Sequence, residues 1–333
     1  MKDILDYSLK EHNTFGIDAR CSRFLEYGDE QEARQVADIL SATDTPYIII
    51  GGGSNLLLTQ DYDGIVVHSA IKGYTTDGND MLCGSGMVWD DVVDISIRQG
   101  LYGAENLSLI PGDVGASAVQ NIGAYGVEAK DLISSVHAIE IASGRSCVFS
   151  NEECGYGYRQ SRFKQAWRNR FLITRVCYRF MPTFVPHLDY GNIRAELERR
   201  GISTPTASAL RQVIIDIRNA KLPDPKVTGN AGSFFMNPVV SREKYETLAA
   251  AYPGMPHYTV DDRHEKIPAG WMIEQCGWKG RSLGRAGVHD KQALVLVNRG
   301  GATGSEIVAL CRQIQHDVRE RFGIDIHPEV NIV

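Results

Sequence analysis

Three consecutive glycines after a short apolar run are the residues best suited to chemistry near the start of the chain. Tyr47–Ile50 is aromatic and β-branched, which predicts a strand covered on both faces, and residues 51–53 are the glycines. Glycine lets a ligand approach the main-chain N–H groups closely, so such a turn is suited to holding phosphate. Ser54 and Asn55 add a hydroxyl and an amide. A plain glycine turn between two strands is the alternative, and these residues alone do not decide between the two.

A second stretch of small residues, at positions 111–126, has similar potential. Its sequence is PGDVGASAVQNIGAYG. Small residues at Gly115, Ala116 and Ser117 would let a helix begin against a ligand, with free N–H groups facing it. The helix dipole then contributes about 0.3–1 kcal/mol to the binding of an anion. This stretch is therefore predicted to be a second anion-binding loop.

Neither loop is a standard mononucleotide motif. The first lacks the Gly-Lys-Ser/Thr ending of a P-loop, and Leu56 stands where the last glycine of a G-x-G-x-x-G fingerprint would be. A P-loop and a classical Rossmann site are therefore excluded. Two separate loops in one domain favour a long ligand, such as a flavin dinucleotide held at its pyrophosphate by both.

The charge of the chain limits the other ligands it can bind. The formal net charge is −6, which argues against a large nucleic-acid surface because phosphate backbones need a clustered basic face. Basic residues do gather at positions 159–164, where a small anion could bind. A solvated charged surface is the other interpretation of that cluster.

Periodic apolar patterns predict the elements that position these loops. A helix capped by Asp29 follows a first strand near residues 22–27 and completes a β-α-β unit with Tyr47–Ile50 and a strand at 64–67. Strand signals dominate from 73 to 180 around one helix that begins near Trp89, which is typical of an α+β domain. A helix around Ile214, the proline-rich residues 221–226 as a hinge, and a last helix between a Thr303 capping box and Gly323 follow.

Length and composition indicate an ordinary globular protein. The 333 residues are enough for two or three domains, with 43% hydrophobic and 23% charged residues. The seven cysteines are scattered without a C-x-x-C pair, which favours free thiols and no zinc site. No apolar run approaches the roughly 18 residues that span a membrane, and the N-terminus lacks a signal-peptide core. We therefore expect a cytoplasmic protein without a metal and without membrane insertion.

Seven stretches together resemble one enzyme family, the UDP-N-acetylenolpyruvoylglucosamine reductases. They follow the family's order from residue 13 to the C-terminus: NTFGIDAR at 13–20, GGGSNLL at 51–57, PGDVGASAVQNIGAYG at 111–126, GYRQSRFK at 157–164, KLPDPKVTGNAGSFFMNP at 221–238, PAGWMIEQCGWKG at 268–280 and HPEV at 327–330. A segment around Tyr190 resembles the mobile tyrosine loop of one of the family's two subtypes. The chain is therefore similar to that subtype.

The resemblance implies a fold and a domain organisation. The fold is α+β, with a vanillyl-alcohol-oxidase (PCMH) type FAD-binding fold of two subdomains and a C-terminal α+β substrate domain. The expected boundaries are 1–70 and 71–218 for the two FAD-binding subdomains, 219–326 for the substrate domain and 327–333 for a segment carrying Glu329. The protein is expected to act as a monomer.

The implied reaction is the reduction of UDP-N-acetylglucosamine enolpyruvate to UDP-N-acetylmuramate, a step of peptidoglycan precursor synthesis. NADPH is the expected hydride donor and FAD the expected cofactor, bound without a covalent link because no histidine stands in the first glycine loop. Arg159 matches the arginine that binds the substrate carboxylate, Ser233 the proton donor and Glu329 the glutamate that stabilises the enolic intermediate. From the residues alone, other interpretations remain open: Arg159 as a surface arginine, Ser233 as a small residue in a turn, and Glu329 as a glutamate at the end of a strand.

The resemblance also implies binding residues. The expected FAD contacts are Ile50, Gly51, Gly52, Gly53, Ser54, Asn55, Pro111, Gly112, Gly115, Ala116, Gln120, Asn121, Gly123, Ala124 and Arg218. The expected substrate contacts are Tyr125, Tyr190, Lys221, Asn237, Tyr258 and Gln292. An exposed arginine at a helix C-terminus is the other interpretation of Arg218, and a core or surface tyrosine is the other interpretation of Tyr258.

Two rival functions remain open from the sequence. One is an oxidase or dehydrogenase of the same fold that acts on a sugar lactone or alcohol and needs no UDP. The other is a binding or sensor protein that has kept the flavin fold without turnover. The presence of all three candidate catalytic positions argues against the second, because a binding role does not require them together.

Overall fold

Helices and strands are both present along the whole chain, and the computed structural model describes residues 1–333. The strands are β1 Lys2–Ser8, β2 Arg20–Tyr27, β3 Tyr47–Ile50, β4 Leu56–Leu57, β5 Tyr62–Ser69, β6 Tyr74–Asp77, β7 Asp80–Gly84, β8 Gly123–Ala124, β9 Val127–Glu128, β10 Ile133–Glu140, β11 Ser146–Ser150, β12 Phe171–Arg179, β13 Asn230–Ser233, β14 Val239–Ser241, β15 Tyr258–Thr259, β16 His264–Lys266, β17 Ser282–Leu283, β18 Ala286–Val288, β19 Val295–Asn298 and β20 Asn331–Ile332. The α-helices are α1 Glu30–Ser41, α2 Trp89–Arg98, α3 Val114–Gln120, α4 Ile193–Arg199, α5 Ala207–Lys221, α6 Arg242–Ala251, α7 Ala269–Gln275 and α8 Gly304–Phe322. This mixture confirms the predicted α+β class.

The chain divides into two units. The first contains residues 1–7, 21–52 and 63–220, and the second contains 8–20, 53–62 and 221–333. The longest segment of the second unit begins at residue 221, which is also the start of the proline-rich stretch predicted to be a hinge. The sequence did not indicate that two short N-terminal segments belong to the second unit. The finer boundaries at 70, 218 and 326 stay predictions.

A mixed sheet in the first unit carries the first glycine turn. Its strand order is β1-β2-β5-β3, with β3 parallel to β5. The sequence predicted that β3 would be covered on both faces, but all four of its residues are only partly buried, because β3 lies at the edge of the sheet. Helix α1 begins at Asp29, whose side chain accepts a hydrogen bond from the N–H of Glu32, as the sequence predicted. Its apolar face packs in the same core cluster as β2 and β5.

A five-stranded sheet forms the other part of the first unit. The order is β11-β10-β12-β7-β6, and the paired strands are antiparallel. Helices α2 and α3 contribute to its core, where Trp89 and Tyr178 are both 1% exposed or less. Trp89 donates its indole N–H to the carbonyl of Leu107 and Tyr178 shares a hydrogen bond with Ser117, so both buried polar groups are satisfied. The start of α3, and with it the second glycine loop, is therefore fixed to a rigid core.

The second unit is centred on the sheet β13-β19-β18-β17 and helix α8. Thr303 and Glu306 form the predicted capping box of α8, and Gly323 ends the helix at φ 59°. Each aliphatic side chain that α8 buries fully contributes about 1.5–3 kcal/mol relative to exposure. A small parallel pair joins β4 to β20, so the chain after the first glycine turn lies beside the C-terminus.

No helix of the chain is both long enough and apolar enough to cross a bilayer.

Candidate active site

The two glycine loops meet within the first unit. A methyl group at Gly51 would lie 2.8 Å from the Cβ of Ala116, and one at Gly52 would lie 3.3 Å from the Cα of Gly112. The first contact is closer than Cβ atoms adopt, so Gly51 is required for the loops to approach this closely, and the second is tight enough that the neighbouring backbone would have to shift. The residues form one cradle of small groups.

The N–H groups at the start of α3 differ from the prediction. The sequence suggested that they would be free for a ligand, but Val114 donates to the carbonyl of Met87 at 2.9 Å and Gly115 to that of Ser85 at 2.8 Å. A methyl group at Gly115 would lie 3.1 Å from the Cβ of Ser85, so this glycine serves packing against Ser85. The prediction that these two N–H groups are free was wrong, because the carbonyls that accept from them belong to a segment distant in sequence.

Gly53 belongs to the second unit and has a structural role there. Its φ of +66° lies in the left-handed region, and a methyl group would overlap the carbonyl oxygen of His12. Its own carbonyl accepts from the N–H of Thr14 at 3.1 Å. Asn55 donates to the carbonyl of Glu329 at 3.4 Å, and Asn331 donates to the carbonyl of Asn55. The second half of the first glycine stretch thus supports the C-terminal segment.

Arg159 lies in a short turn next to the second glycine loop. The turn is held by Asn121, which donates to the carbonyl of Gly157 at 2.8 Å, and by Ser161, which donates to the carbonyl of Val119 at 2.7 Å. Arg159 itself has a φ of +55° and donates from Nη2 to the carbonyl of Gly123 at 2.7 Å. A non-glycine residue in this conformation costs roughly 1–3 kcal/mol and persists where surrounding contacts enforce it. The fold therefore fixes this guanidinium beside Gly123.

Tyr125 and the positively charged Arg218 lie next to each other in the same region. Burial raises the pKa of Tyr125, and the neighbouring Arg218 partly opposes that shift. Burial lowers the pKa of Arg218, Tyr125 and Asp90 partly oppose that shift, and the like charge of Arg159 adds to it. The Arg218 Nε is buried without a hydrogen-bond partner. Two guanidinium groups that repel each other and an unsatisfied donor would all be stabilised by an anion.

The candidate tyrosine loop contacts Tyr125. A methyl group at Gly126 would lie 3.6 Å from the Cβ of Tyr190, and one at Gly191 would lie 3.5 Å from the ring of Tyr125. The side chain of Tyr190 is 49% exposed. The buried amide of Asn106 joins the two segments, because it donates to the carbonyls of Tyr125 at 2.9 Å and His187 at 3.0 Å. No sequence pattern indicates this role for Asn106, since a single asparagine in a short 3-10 helix carries no recognisable spacing.

The second unit brings Ser233 and Glu329 onto neighbouring backbones. The N–H of Glu329 donates to the carbonyl of Phe234 at 2.8 Å, and Phe235 forms an isolated β-bridge with Pro328. Ser233 is exposed at the end of β13, whereas Phe234 is fully buried. The Ser233 hydroxyl is therefore accessible, while burial of the next residue, Phe234, holds the backbone in place.

The N-terminal motif at 13–20 supports this serine. Thr14 donates its hydroxyl to the carbonyl of Asn230 at 2.6 Å and accepts the N–H of Asn230 at its own carbonyl. The side chain of Asn230 accepts from Gly232, which has a φ of +67°. These bonds shape the bulge before Ser233. The resemblance identified this motif, and the hydrogen bonds show what its threonine does in the structure.

Other predicted substrate residues occupy three places. Asn237 accepts from the N–H of Ala269, where α7 begins, and the Gln292 side chain would lie 3.2 Å from a methyl group at Gly270. These two residues therefore lie at the start of α7. Lys221 is the exposed last residue of α5. Tyr258 lies on β15 opposite Lys266, with 53% of it exposed.

The chain is similar to named bacterial enzymes over nearly its full length. A UDP-N-acetylenolpyruvoylglucosamine reductase of Bacteroides fragilis is 55% identical over 98% of this chain and 99% of its own. The chain belongs to the UDP-N-acetylenolpyruvoylglucosamine reductase family. Proteins of the same name from Porphyromonas gingivalis and Pseudomonas aeruginosa are 49% and 47% identical, each over 98% of this chain and 98% and 97% of their own.

Family models and a solved structure agree with this membership. The model described as UDP-N-acetylenolpyruvoylglucosamine reductase, C-terminal domain, matches residues 224–333, and the FAD binding domain matches residues 22–150. The crystal structure of the Thermus caldophilus reductase covers 99% of this chain with a TM-score of 0.68 at 23% identity, which supports the same fold. This family member is a flavoprotein, and its predicted fold class and FAD cofactor are confirmed.

The residues of the first unit fit FAD chemically. Gly51 and Gly52 carry no side chain at the point where the two loops pack together, so their main-chain groups can be approached closely by a diphosphate. The Arg218 Nε is a buried donor that needs an acceptor. The FAD contacts predicted from the sequence stay predictions residue by residue.

Replacing Asn106 by leucine is expected to loosen the tyrosine loop. The change removes both donors and leaves two carbonyls without them, which costs about 1–3 kcal/mol for each group that stays buried. Hydrogen exchange should become faster at residues 187–192, and the KM for the nucleotide substrate should rise more than kcat falls.

The matched control is Asn151→Leu. Asn151 also donates twice, to the carbonyls of Lys130 and Ile133, in the same unit. Faster exchange at 187–192 in the control, or unchanged exchange there in the Asn106 variant, would contradict the assignment.

Proposed function

We propose that this chain reduces UDP-N-acetylglucosamine enolpyruvate to UDP-N-acetylmuramate with NADPH and FAD, a step in peptidoglycan precursor synthesis. Membership of the family over nearly its full length supports this activity. The chain is an oxidoreductase, and its substrates are the enolpyruvyl nucleotide and NADPH.

FAD, when bound, accepts a hydride from NADPH and supplies it to the β-carbon of the enolpyruvyl group. The substrate then needs two things from the protein. Negative charge develops on the α-carbon and its carboxylate, so a positive group must stabilise it. The α-carbon must also receive a proton.

Arg159 is proposed to bind the substrate carboxylate. A planar guanidinium can hold a carboxylate through two parallel hydrogen bonds. Its bond to the carbonyl of Gly123 and the strained turn that carries it support a fixed orientation. Arg218 adds a second positive charge nearby, which makes the region more favourable for an anion.

Ser233 is proposed to protonate the α-carbon, and Glu329 to stabilise the enolic intermediate. The observation that carries this proposal is the hydrogen bond from the N–H of Glu329 to the carbonyl of Phe234, which joins the two segments. Because a carboxylate anion would oppose the developing negative charge, Glu329 must act as a hydrogen-bond donor. A serine hydroxyl is a weak acid, so it depends on such a neighbour.

The nucleotide is proposed to be held by Tyr125, Tyr190, Lys221, Asn237, Tyr258 and Gln292. A flexible lysine at the end of α5 is suited to diphosphate oxygens. The contact between the Tyr125 and Tyr190 segments supports a shared role in closing over the substrate.

Glu329→Gln is expected to keep more activity than Glu329→Ala. The amide N–H can replace a protonated carboxyl as donor, whereas alanine removes it, and losing one such donor costs about 10²–10³ in kcat. Glu320→Gln, an exposed change on α8, is the control. Equal losses in the glutamine and alanine variants, measured by steady-state kinetics, would show that Glu329 does not act as a donor.

Product analysis tests the activity as a whole. The purified protein, NADPH and UDP-N-acetylglucosamine enolpyruvate should give UDP-N-acetylmuramate, detected by mass spectrometry as the substrate plus two hydrogen atoms. NADPH oxidation that depends on oxygen and not on the nucleotide would instead support the oxidase alternative.

We further propose that the protein acts as a monomer in the cytoplasm. The scattered cysteine spacing, which favours a reducing compartment, supports the location. Sedimentation of the purified protein and fractionation of cells measure the two properties, and a stable dimer or a membrane-bound pool would contradict them.

A further inference from the structure

A chain of charged side chains connects the edge of the first sheet to the glycine cradle. His68 on β5 places Nδ1 2.9 Å from a Glu26 carboxylate oxygen and Nε2 3.4 Å from an Asp113 carboxylate oxygen. Lys2 pairs with the other oxygen of Glu26 at 2.5 Å. The side chains of Glu26, His68 and Asp113 are 11%, 14% and 12% exposed. These groups are largely shielded from solvent, and the known reaction gives none of them a role.

Asp113 stands at the helix N-cap of α3 but does not cap it. Its side chain accepts no hydrogen bond from the first turn of the helix, although aspartate is favoured there for that purpose. Its carboxylate instead lies beside the first glycine turn, with its oxygens 3.5 Å and 3.3 Å from where methyl groups at Gly51 and Gly52 would be. An uncompensated carboxylate at this place would repel the diphosphate of FAD.

We propose that His68 is a positioning residue for FAD. His68 holds the Asp113 carboxylate and balances its negative charge beside the first glycine turn. The proposal rests on the FAD cradle described above. As an imidazolium, His68 donates to Glu26 and Asp113 at once, so the network carries no excess negative charge toward the cofactor. Glu26 and its partner Lys2 fix the imidazole from the side of β2 and β1.

The protonation of His68 makes the effect depend on pH. Burial alone lowers the pKa of His68, but the carboxylates of Asp113 and Glu26 outweigh it and the pKa is raised. Lys2 and His68 together lower the pKa of Glu26 despite its burial, so its carboxylate stays charged. On β3, the residue opposite His68 is the uncharged Ile50. FAD affinity should therefore be full below the ordinary histidine pKa of about 6.5 and decrease as pH rises through the raised value.

The test measures FAD binding to the apoprotein, without turnover, by quenching of flavin fluorescence across a pH series. His68→Gln keeps hydrogen bonding but loses the charge, and we expect its Kd for FAD to rise about tenfold at pH 6 because the carboxylate is left uncompensated. Its Kd should also lose the rise with pH. His137→Gln, a partly buried histidine on β10 of the same unit, is the control and should leave the Kd unchanged.

Replacing the Asp113 carboxylate by an amide distinguishes an effect of charge from an effect of packing. Asp113→Asn should bind FAD at least as tightly as the natural chain, and the double variant His68→Gln/Asp113→Asn should recover most of the lost affinity. A double variant as weak as His68→Gln, or a Kd within twofold in His68→Gln, would overturn the proposal. Should His68→Gln not fold, weaker FAD binding in Asp113→Asn would also overturn it. Failure of the natural chain to bind FAD would instead contradict the cradle itself.

Discussion

Ser233→Ala is expected to lower the rate of substrate reduction by about 10²–10⁴-fold, the usual contribution of a positioned proton donor. Alanine removes only the hydroxyl, and the buried Phe234 keeps the backbone in place. Transfer of hydride from NADPH requires no proton at the substrate α-carbon, so that half-reaction should be unchanged. Stopped-flow measurement of flavin absorbance separates the two steps.

Two further variants make this prediction specific. Ser233→Cys retains an acidic proton and should recover part of the rate, which a purely structural role would not predict. Ser282→Ala, an exposed change on β17, should leave both half-reactions unchanged. Equal slowing of both half-reactions in Ser233→Ala would indicate a distorted site and would contradict proton donation by this hydroxyl.

Gly53→Ala is expected to destabilise the second unit by more than about 4 kcal/mol, a loss that is exceptional for one substitution. The left-handed conformation at this residue accounts for about 1–2 kcal/mol of it. The remainder comes from the overlap of the new methyl group with the carbonyl of His12, which is backbone and cannot move aside easily. Denaturant unfolding followed by circular dichroism measures the loss.

Gly254→Ala is the matched control. Gly254 has a φ of +79° in the same unit, but a methyl group there meets no atom within 4 Å. This variant should therefore lose only the conformational contribution of about 1–2 kcal/mol. Similar losses in the two variants would show that contact with His12 has no energetic role.

Local patterns predicted the elements of this fold well. Asp29 and Thr303 cap the helices that the apolar periodicity indicated, and Gly323 ends the last of them. Such features depend on neighbours within a few residues, so they can be read directly from the sequence. The extended run before the first glycine turn was also identified as a strand, although its position at the sheet edge left it less buried than expected.

Features that depend on distant partners could not be predicted. The N–H groups of Val114 and Gly115 are used by residues 85–87, and Gly53 is fixed by His12. The paired role of Asn106 likewise depends on residues 19 and 81 positions away. No local pattern specifies these contacts, since they arise only once the chain has folded. The candidate catalytic residues were found by resemblance, because a serine, an arginine and a glutamate in separate segments have no common spacing.

The most direct test of the account follows flavin absorbance under anaerobic conditions. NADPH is added to the purified, yellow protein, and UDP-N-acetylglucosamine enolpyruvate is added after the colour has bleached. We expect bleaching by NADPH and return of the yellow colour with the nucleotide, which together demonstrate both half-reactions. Bleaching without return of the colour would contradict the proposed substrate, and a colourless protein that FAD cannot reconstitute would contradict the account from its first glycine loop onward.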